Sequence, residues 1–176
     1  MQDFIRNNAG KLAAIGEVGL DYWKIQEESD REIQREIFRN FICLSLELDM
    51  PLNVHSRSAG RHTIAFLLEH SAARVQLHAF DGKSASAHPA VEAGFLFSIP
   101  PSIVRSAQKQ NLVKKLPLSS LLIETDSPVL GPVPQERNEP AHALIVIKTI
   151  AELKGLREEA VAEAVAENTR LLYGGK

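Results

Sequence analysis

Short apolar runs alternate along this chain with longer segments of helical periodicity. This alternation is typical of a parallel sheet or barrel with crossover helices, and it argues against an all-α or all-β fold. Each run is apolar on both faces, as buried parallel strands are. We predict five strands, at residues 11–16, 52–55, 74–80, 95–99 and 120–124.

The segments between the strands predict helices. The longest is expected at about 29–49, where apolar residues recur every three or four positions and form one stripe that should face the core: Ile33, Ile37, Phe41, Leu44 and Leu48. Lys109 is expected on the exposed face of a later helix. The remaining helices are predicted at 59–69, 84–93, 106–115, 140–154 and 158–173.

The length of the chain limits the architecture. A strand with its crossover helix takes about 30 residues, so five such units nearly fill the 176 residues, and we interpret residues 1–176 as one domain. A complete eight-stranded (β/α) barrel needs about 250 residues. We therefore expect an α/β fold and, if it is a barrel, an incomplete one. The first ten residues read as the end of a helix that leads directly into the first strand.

Composition and charge narrow the choice of partners. The 20 basic and 22 acidic residues give a formal net charge of −2, so no global positive field attracts nucleic acid. Affinity for phosphate must be local or supplied by a metal. The single cysteine fits a reducing compartment. We found neither a signal peptide nor a membrane span, and we expect an intracellular protein, cytoplasmic or nuclear, without membrane partners.

Four polar side chains in or just beyond the predicted strands are metal-ligand types: Glu17, His55, His78 and Asp126. Parallel strands gather their carboxyl ends at one edge, so these residues can converge on one pocket. Two imidazoles and two carboxylates suit Zn²⁺, Mn²⁺ or, less readily, Mg²⁺, which predicts metal-assisted hydrolysis. Ordinary structural roles stay open, since a lone His at a strand end is often only hydrogen-bonded and Asp126 fits a turn.

Arg57 and Arg137 are candidate phosphate contacts, because guanidinium groups bind phosphate oxygens bidentately. Solvation at the surface explains Arg57 equally well. Arg137 has the alternative of an ion pair with Glu139 or Glu124. The loop containing Asp21, Tyr22 and Trp23 is expected to pack an aromatic pair over the mouth of the barrel rather than to stack on a substrate.

Five motifs together resemble one family. AIGEVGLDYW (14–23), PLNVHSR (51–57), VQLHAFDG (75–82), LLIETDSP (121–128) and RNEPAH (137–142) occur in the order found in TatD-type metal-dependent deoxyribonucleases, which belong to the amidohydrolase-like (β/α) barrels. The resemblance covers about 11–173. It implies a TIM-barrel-type fold, DNA as substrate and a divalent metal cofactor.

The resemblance also implies a role for each candidate ligand. Glu17 matches the carboxylate that bridges two metals, His55 and His78 match two imidazoles on the following strands, and Asp126 matches the last aspartate. The five strands then correspond to the fourth to eighth of the barrel. The family's His-x-His pair on the first strand has no counterpart, because no histidine precedes His55.

This difference changes the expected chemistry. We expect one well-held ion rather than two, bound by Glu17, His55 and His78, while Glu17 and Asp126 alone would hold a second ion weakly. Glu17 and Asp126 are the expected catalytic carboxylates. Cleavage of DNA is expected to be weak or lost. Two alternatives stay open: a catalytically inactive isoform or fragment with a binding or regulatory role, and an amidohydrolase acting on a small amide, ester or lactone.

Absent strands would also affect stability. We expect open barrel edges that favour self-association, and inner-face side chains such as those of Leu52, Val54, Leu77 and Ile123 exposed to water.

Overall fold

Five short strands form one parallel sheet in a computed structural model that describes residues 1–174. Their spatial order follows the chain, so each strand pairs with the next. A parallel sheet wound in one direction is the arrangement of a (β/α) barrel, and the predicted α/β, TIM-barrel-like class is confirmed. The strands are β1 (Ile15–Gly19), β2 (Leu52–His55), β3 (Val75–Leu77), β4 (Leu96–Ile99) and β5 (Leu121–Ile123).

Helices cover one face of this sheet. Within the described residues they are α1 (Gln2–Asn8), α2 (Glu28–Leu48), α3 (Gly60–Glu69), α4 (Ser84–Glu92), α5 (Ala107–Lys115), α6 (Ala143–Lys154) and α7 (Glu158–Tyr173). Short 3₁₀ turns lie at Ala9–Lys11, Pro101–Val104, Leu118–Ser120 and Pro140–His142. None of the helices in residues 1–174 has the length and apolar character required to cross a membrane.

The first strand lies further along the chain than predicted. The apolar run that suggested residues 11–16 begins in a 3₁₀ turn, and β1 starts only at Ile15, which pairs with Leu52 of β2. Pairing with a neighbour, rather than apolar character, decides where this strand starts. Glu17 therefore lies within β1 and not beyond its end.

The expectation that side chains of the inner face are exposed to water was wrong. Leu52, Val54 and Leu77 are fully buried, and Ile123 is partly buried against the core. In β2 the buried Leu52 and Val54 alternate with the partly buried Asn53 and His55. Because successive side chains of a strand point to opposite faces, the leucine and valine of β2 face the helices, and the polar residues face the inside of the sheet.

The predicted buried stripe of α2 was also wrong in part. Ile33 and Ile37 are exposed, whereas Phe38 and Ile42 are buried. The later part of the predicted stripe does reach the core, because Leu44 is buried and Phe41 and Leu48 pack against it. Periodicity predicts the helix, but the side that the core buries is shifted by one residue in its first half.

Candidate metal centre

The four candidate ligands come together at the carboxyl ends of the strands. Glu17 lies in β1, His55 is the last residue of β2, and His78 directly follows β3. Asp126 lies three residues after β5, with a positive φ of 56°. The sequential order of the strands therefore brings residues from distant parts of the chain to one edge of the sheet.

Glu17 lies between the two imidazoles. Its Oε2 atom is 3.4 Å from His55 Nδ1, and its Oε1 atom is 3.5 Å from His78 Nε2. Each carboxylate oxygen thus faces a different ring. This position, between two nitrogen donors, suits a carboxylate that contacts cations on both sides.

Asp126 joins the group at the same ring nitrogen of His78 that Glu17 contacts. Its Oδ1 atom lies 3.7 Å from His78 Nε2. One donor atom from each of Glu17, His78 and Asp126 can be chosen so that all three lie within 4.8 Å of one another. The grouping differs from the predicted set, because Asp126 rather than His55 completes the tightest trio, and His55 contacts the other oxygen of Glu17.

Each imidazole contacts a second carboxylate through its other ring nitrogen. His55 Nε2 lies 3.1 Å from Asp21 Oδ2, and His78 Nδ1 lies 2.7 Å from Glu124 Oε2. Histidines that bind metals usually donate their other ring N–H to such a group, which fixes the tautomer and the orientation of the ring. Both histidines therefore present one nitrogen to Glu17 and use the other for a carboxylate.

The two supporting carboxylates are themselves fixed. Glu124 accepts hydrogen bonds from the backbone N–H of Ala79 and the hydroxyl of Ser98. Asp21 accepts from the backbone N–H groups of Trp23 and Lys24. Neither role was predicted from the sequence. Both are acidic residues near strand ends. Asp21 lies four positions after Glu17, and Glu124 lies two positions before Asp126.

The carboxylates raise the pKa of both histidines. For His55 the main cause is the hydrogen bond with Glu17, opposed by burial and supported by Asp21. Burial alone would lower the pKa of His78, but Glu124, Glu17 and Asp126 outweigh it. Without a cation, these imidazoles therefore retain protons at higher pH than an ordinary histidine, and a metal must displace those protons.

The pKa values of the two candidate ligand carboxylates are shifted in opposite directions. The hydrogen bond with His55 is the main cause that lowers the pKa of Glu17, against the effect of burial. Burial raises the pKa of Asp126, and the neighbouring Glu124 and Glu17 add to that effect. Glu17 is thus held in its charged form, whereas Asp126 takes up a proton more readily.

Comparison with known proteins shows the family of the chain. A family profile described as TatD related DNase matches residues 1–174. The chain belongs to this family. Deoxyribonuclease TATDN3 of Homo sapiens is 50% identical over 171 residues, which are 96% of this chain and 62% of that protein. A metal-dependent hydrolase of Bacillus subtilis, YabD, is 37% identical over 170 residues, which are 93% of this chain and 66% of YabD.

A solved structure agrees with the fold of this TatD-family chain. YJJV, a TatD homologue from Escherichia coli K12, superposes with a TM-score of 0.89 at 27% identity, over 99% of this chain and 69% of YJJV. The chain therefore spans about two thirds of the length of the proteins it matches, or somewhat less.

One glycine lets β1 and β2 approach each other in this TatD-family site. Gly19 has a φ of 144°, and a Cβ atom there would lie 2.0 Å from the carbonyl oxygen of His55. Gly19 pairs with His55 in the sheet. A side chain at this position would therefore push apart the strands that carry Glu17 and His55.

Asn138 fixes the loop that carries Asp126, and the sequence analysis missed it. The side chain is 1% exposed, and its Nδ2 atom donates to the carbonyls of Thr125 and Val129, each at 2.6 Å. Its Oδ1 atom accepts from the backbone N–H of Glu139. The sequence feature that could have indicated this role is the position of Asn138 in the RNEPAH motif, within a loop rich in proline.

The two candidate arginines lie in different places. Arg57 lines a cavity of about 390 Å³ together with His55, His78 and Asp126. Its guanidinium group stacks 3.8 Å from the ring centre of Trp23. Arg137 is exposed and borders a separate groove, and no ion pair joins it to Glu139 or Glu124 within the described part of the chain.

Proposed function

We propose that this chain is a metal-dependent hydrolase of DNA phosphodiester bonds whose own activity is weak. The observation that carries the proposal is Glu17, which lies between two imidazoles that are each supported by a further carboxylate. Metal-binding histidines almost always have such a partner at their other ring nitrogen. The name of the human relative, deoxyribonuclease TATDN3, supports DNA as the substrate.

The donor set fits one divalent ion, Mg²⁺, Mn²⁺ or Zn²⁺. Glu17, His78 and Asp126 would hold the ion, with His55 at the other oxygen of Glu17. Nitrogen and oxygen donors in this ratio suit Zn²⁺ and Mn²⁺ better than Mg²⁺. When bound, such an ion would supply positive charge against a phosphoryl oxygen and make a water molecule more acidic.

The protein groups would manage the proton and the substrate. Asp126 lies on the wall of the cavity and would accept the proton from the attacking water. Glu17 would stay ionised between the imidazoles. Arg57, on the same wall, would contact a phosphate oxygen and hold it near Asp126.

Weak activity follows from the number of ligands. Two-metal hydrolases stabilise the attacking and the leaving oxygen with separate ions. After one ion is held, this chain would offer a second ion few nitrogen ligands, because none of its six histidines precedes His55. A chain that binds DNA or metal without cleaving is the alternative, and the following experiment separates the two.

The test compares two purified proteins on single- and double-stranded oligonucleotides with Mg²⁺ or Mn²⁺. One is this chain, and the other carries in addition the N-terminal third of human TATDN3. We expect cleavage by both, at least about a hundredfold slower for this chain. Equal rates would contradict the weak activity, and no cleavage by either protein would contradict the hydrolase.

Variants attribute any cleavage to the site. Glu17→Gln and His78→Gln should abolish it, whereas Glu92→Gln, in an exposed pair with His88, should leave it unchanged. Activity that survives Glu17→Gln would indicate a contaminating nuclease.

A further inference from the structure

Lys109 is a buried lysine beside the candidate metal centre. The expectation that it lies on the exposed face of its helix was wrong, because its residue is 7% exposed. It belongs to α5, and its Nζ atom donates a hydrogen bond to the carbonyl oxygen of Ala79 at 3.0 Å. Ala79 directly follows His78, so the ammonium group lies beside the loop that carries a proposed ligand.

No carboxylate within the described residues lies close enough to Lys109 Nζ, at 4.0 Å or less, to form an ion pair. An ammonium group removed from water without a partner is costly, which is why buried lysines are rare unless they are paired. Burial lowers the pKa of Lys109, whereas Glu124, Asp81 and Asp126 act at longer range to keep it charged.

The ammonium group borders the cavity of the candidate metal centre. Lys109, Arg57 and Asp126 all line this cavity of about 390 Å³. An ammonium group has three N–H donors, and the described protein groups use one of them, for Ala79. Two donors and a positive charge thus remain for an anion in the cavity.

We propose that Lys109 binds a phosphate oxygen of the substrate, an inference that rests on the function proposed above. Arg57 and Lys109 both line the cavity, and the carboxylates of Asp81 and Asp126 line it as well. A phosphodiester held by both cations would lie next to the proposed proton acceptor. Lys109 is therefore a binding residue that the sequence motifs did not reveal.

The test titrates inorganic phosphate into the full chain in the presence of Mg²⁺ and measures the heat of binding. Lys109→Met should weaken phosphate binding by about tenfold or more, because a charged hydrogen bond is lost. Lys109→Arg should recover most of the affinity. Lys114→Met provides the matched control, because Lys114 lies on the same helix but is exposed.

A structural role of Lys109 predicts a different pattern. If Lys109 only supported the carbonyl of Ala79, its loss would displace His78 and weaken the binding of Mn²⁺ as well. We expect the affinity for Mn²⁺ to stay within about twofold of the unmodified chain in Lys109→Met, since Lys109 bonds to the carbonyl of Ala79 and the carboxylate partners of the proposed ligands stay in place. A parallel loss of Mn²⁺ and phosphate would overturn the proposal.

Two further outcomes separate this inference from the proposed function. Phosphate binding that is equal in the unmodified chain and Lys109→Met, or undetectable in the unmodified chain, would overturn the role of Lys109. Phosphate binding that depends on Lys109, together with no cleavage of DNA by the chain or its extended version, would support the anion site and overturn the DNA hydrolase.

Discussion

Glu124 Oε2 lies 2.7 Å from His78 Nδ1, on the side of the ring that faces away from Glu17 and Asp126. The same carboxylate accepts the backbone N–H of Ala79. Glu124 therefore fixes both the ring of His78 and the loop that follows it. A hydrogen bond from the Nδ1 proton leaves the lone pair on Nε2, which is the nitrogen that points into the site.

We expect Glu124→Gln to lower the affinity for Mn²⁺ by about 10- to 100-fold, as the loss of such supporting groups does in metal sites. An amide has one acceptor oxygen where the carboxylate has two, so the variant cannot satisfy every donor that Glu124 binds. Calorimetric titration with Mn²⁺ measures the effect.

The matched control is Glu92→Gln. Glu92 also pairs with a histidine, His88, at 3.4 Å, but both side chains are exposed and far from the site in the fold. The affinity of the Glu92→Gln variant for Mn²⁺ should equal that of the unmodified chain. An unchanged affinity in Glu124→Gln would contradict the positioning role.

A metal bound at the proposed site would compete with protons, which gives a pH dependence with a definite sign. The pKa values of His55 and His78 in the folded chain are raised above their ordinary value of 6.5. Their protonation therefore stabilises the metal-free fold below about pH 6.5, and this contribution is lost as the pH rises through the raised values. Metal binding has the opposite dependence, because it requires neutral imidazoles.

We therefore expect Mn²⁺ to raise the melting temperature at about pH 8.5 and to have little effect at about pH 5.5, where both histidines are protonated. Thermal melts with Mn²⁺ and with EDTA across this range measure the difference. A stabilisation by Mn²⁺ that does not depend on pH would indicate that the imidazoles are not ligands.

The sequence predicted most of the strands and the candidate ligands for a simple reason. Buried parallel strands are apolar on both faces, so His55 and His78 stand out where the apolar runs end. The supporting residues have no comparable signal. Asp21, Glu124 and Asn138 act through contacts between distant segments, and an acidic residue or asparagine in a loop is usually explained by solvent or a turn.

Lys109 and the α2 stripe illustrate a second limit. Periodicity places Lys109 on a helix but does not tell which side of that helix a neighbouring loop covers. For α2, the apolar periodicity predicted burial of Ile37, whereas the folded chain buries the neighbouring Phe38 and leaves Ile37 exposed. Tertiary packing therefore decides what local patterns leave open.

Gly19→Ala should lower the free energy of unfolding by at least about 2 kcal/mol. A Cβ atom at this position would lie 2.0 Å from the carbonyl oxygen of His55, and the φ of 144° is unfavourable for alanine. Urea denaturation followed by circular dichroism gives the stability. Gly10→Ala is the control, because a Cβ atom there meets no other atom within 4 Å. Equal stability of the two variants would contradict the account of β1.

Asn138→Ala should both destabilise the chain and weaken the metal site. The substitution removes the donor to the carbonyls of Thr125 and Val129, and we expect a loss of about 2 kcal/mol. Because this loop carries Asp126, the affinity for Mn²⁺ should fall in the same variant. Asn8→Ala removes an exposed hydrogen bond to Phe4 and should change neither quantity. A loss of stability without a loss of Mn²⁺ affinity would mean that Asp126 is not a ligand.

Self-association of the chain is expected from its exposed apolar residues. Ile33 and Ile37 lie one turn apart on α2 and are 57% and 52% exposed, so they form a short apolar stripe. In addition, β1 and β5 each have a single neighbour in the sheet of residues 1–174, and unpaired strand edges favour association.

Sedimentation velocity should therefore show an average mass that rises with concentration. The double variant Ile33→Glu, Ile37→Glu should reduce this rise, because charges on the stripe resist burial. Leu144→Glu, at a residue that is 71% exposed on α6, tests whether any added charge has the same effect. A monomer at every concentration, or equal effects of the double variant and Leu144→Glu, would contradict association through α2.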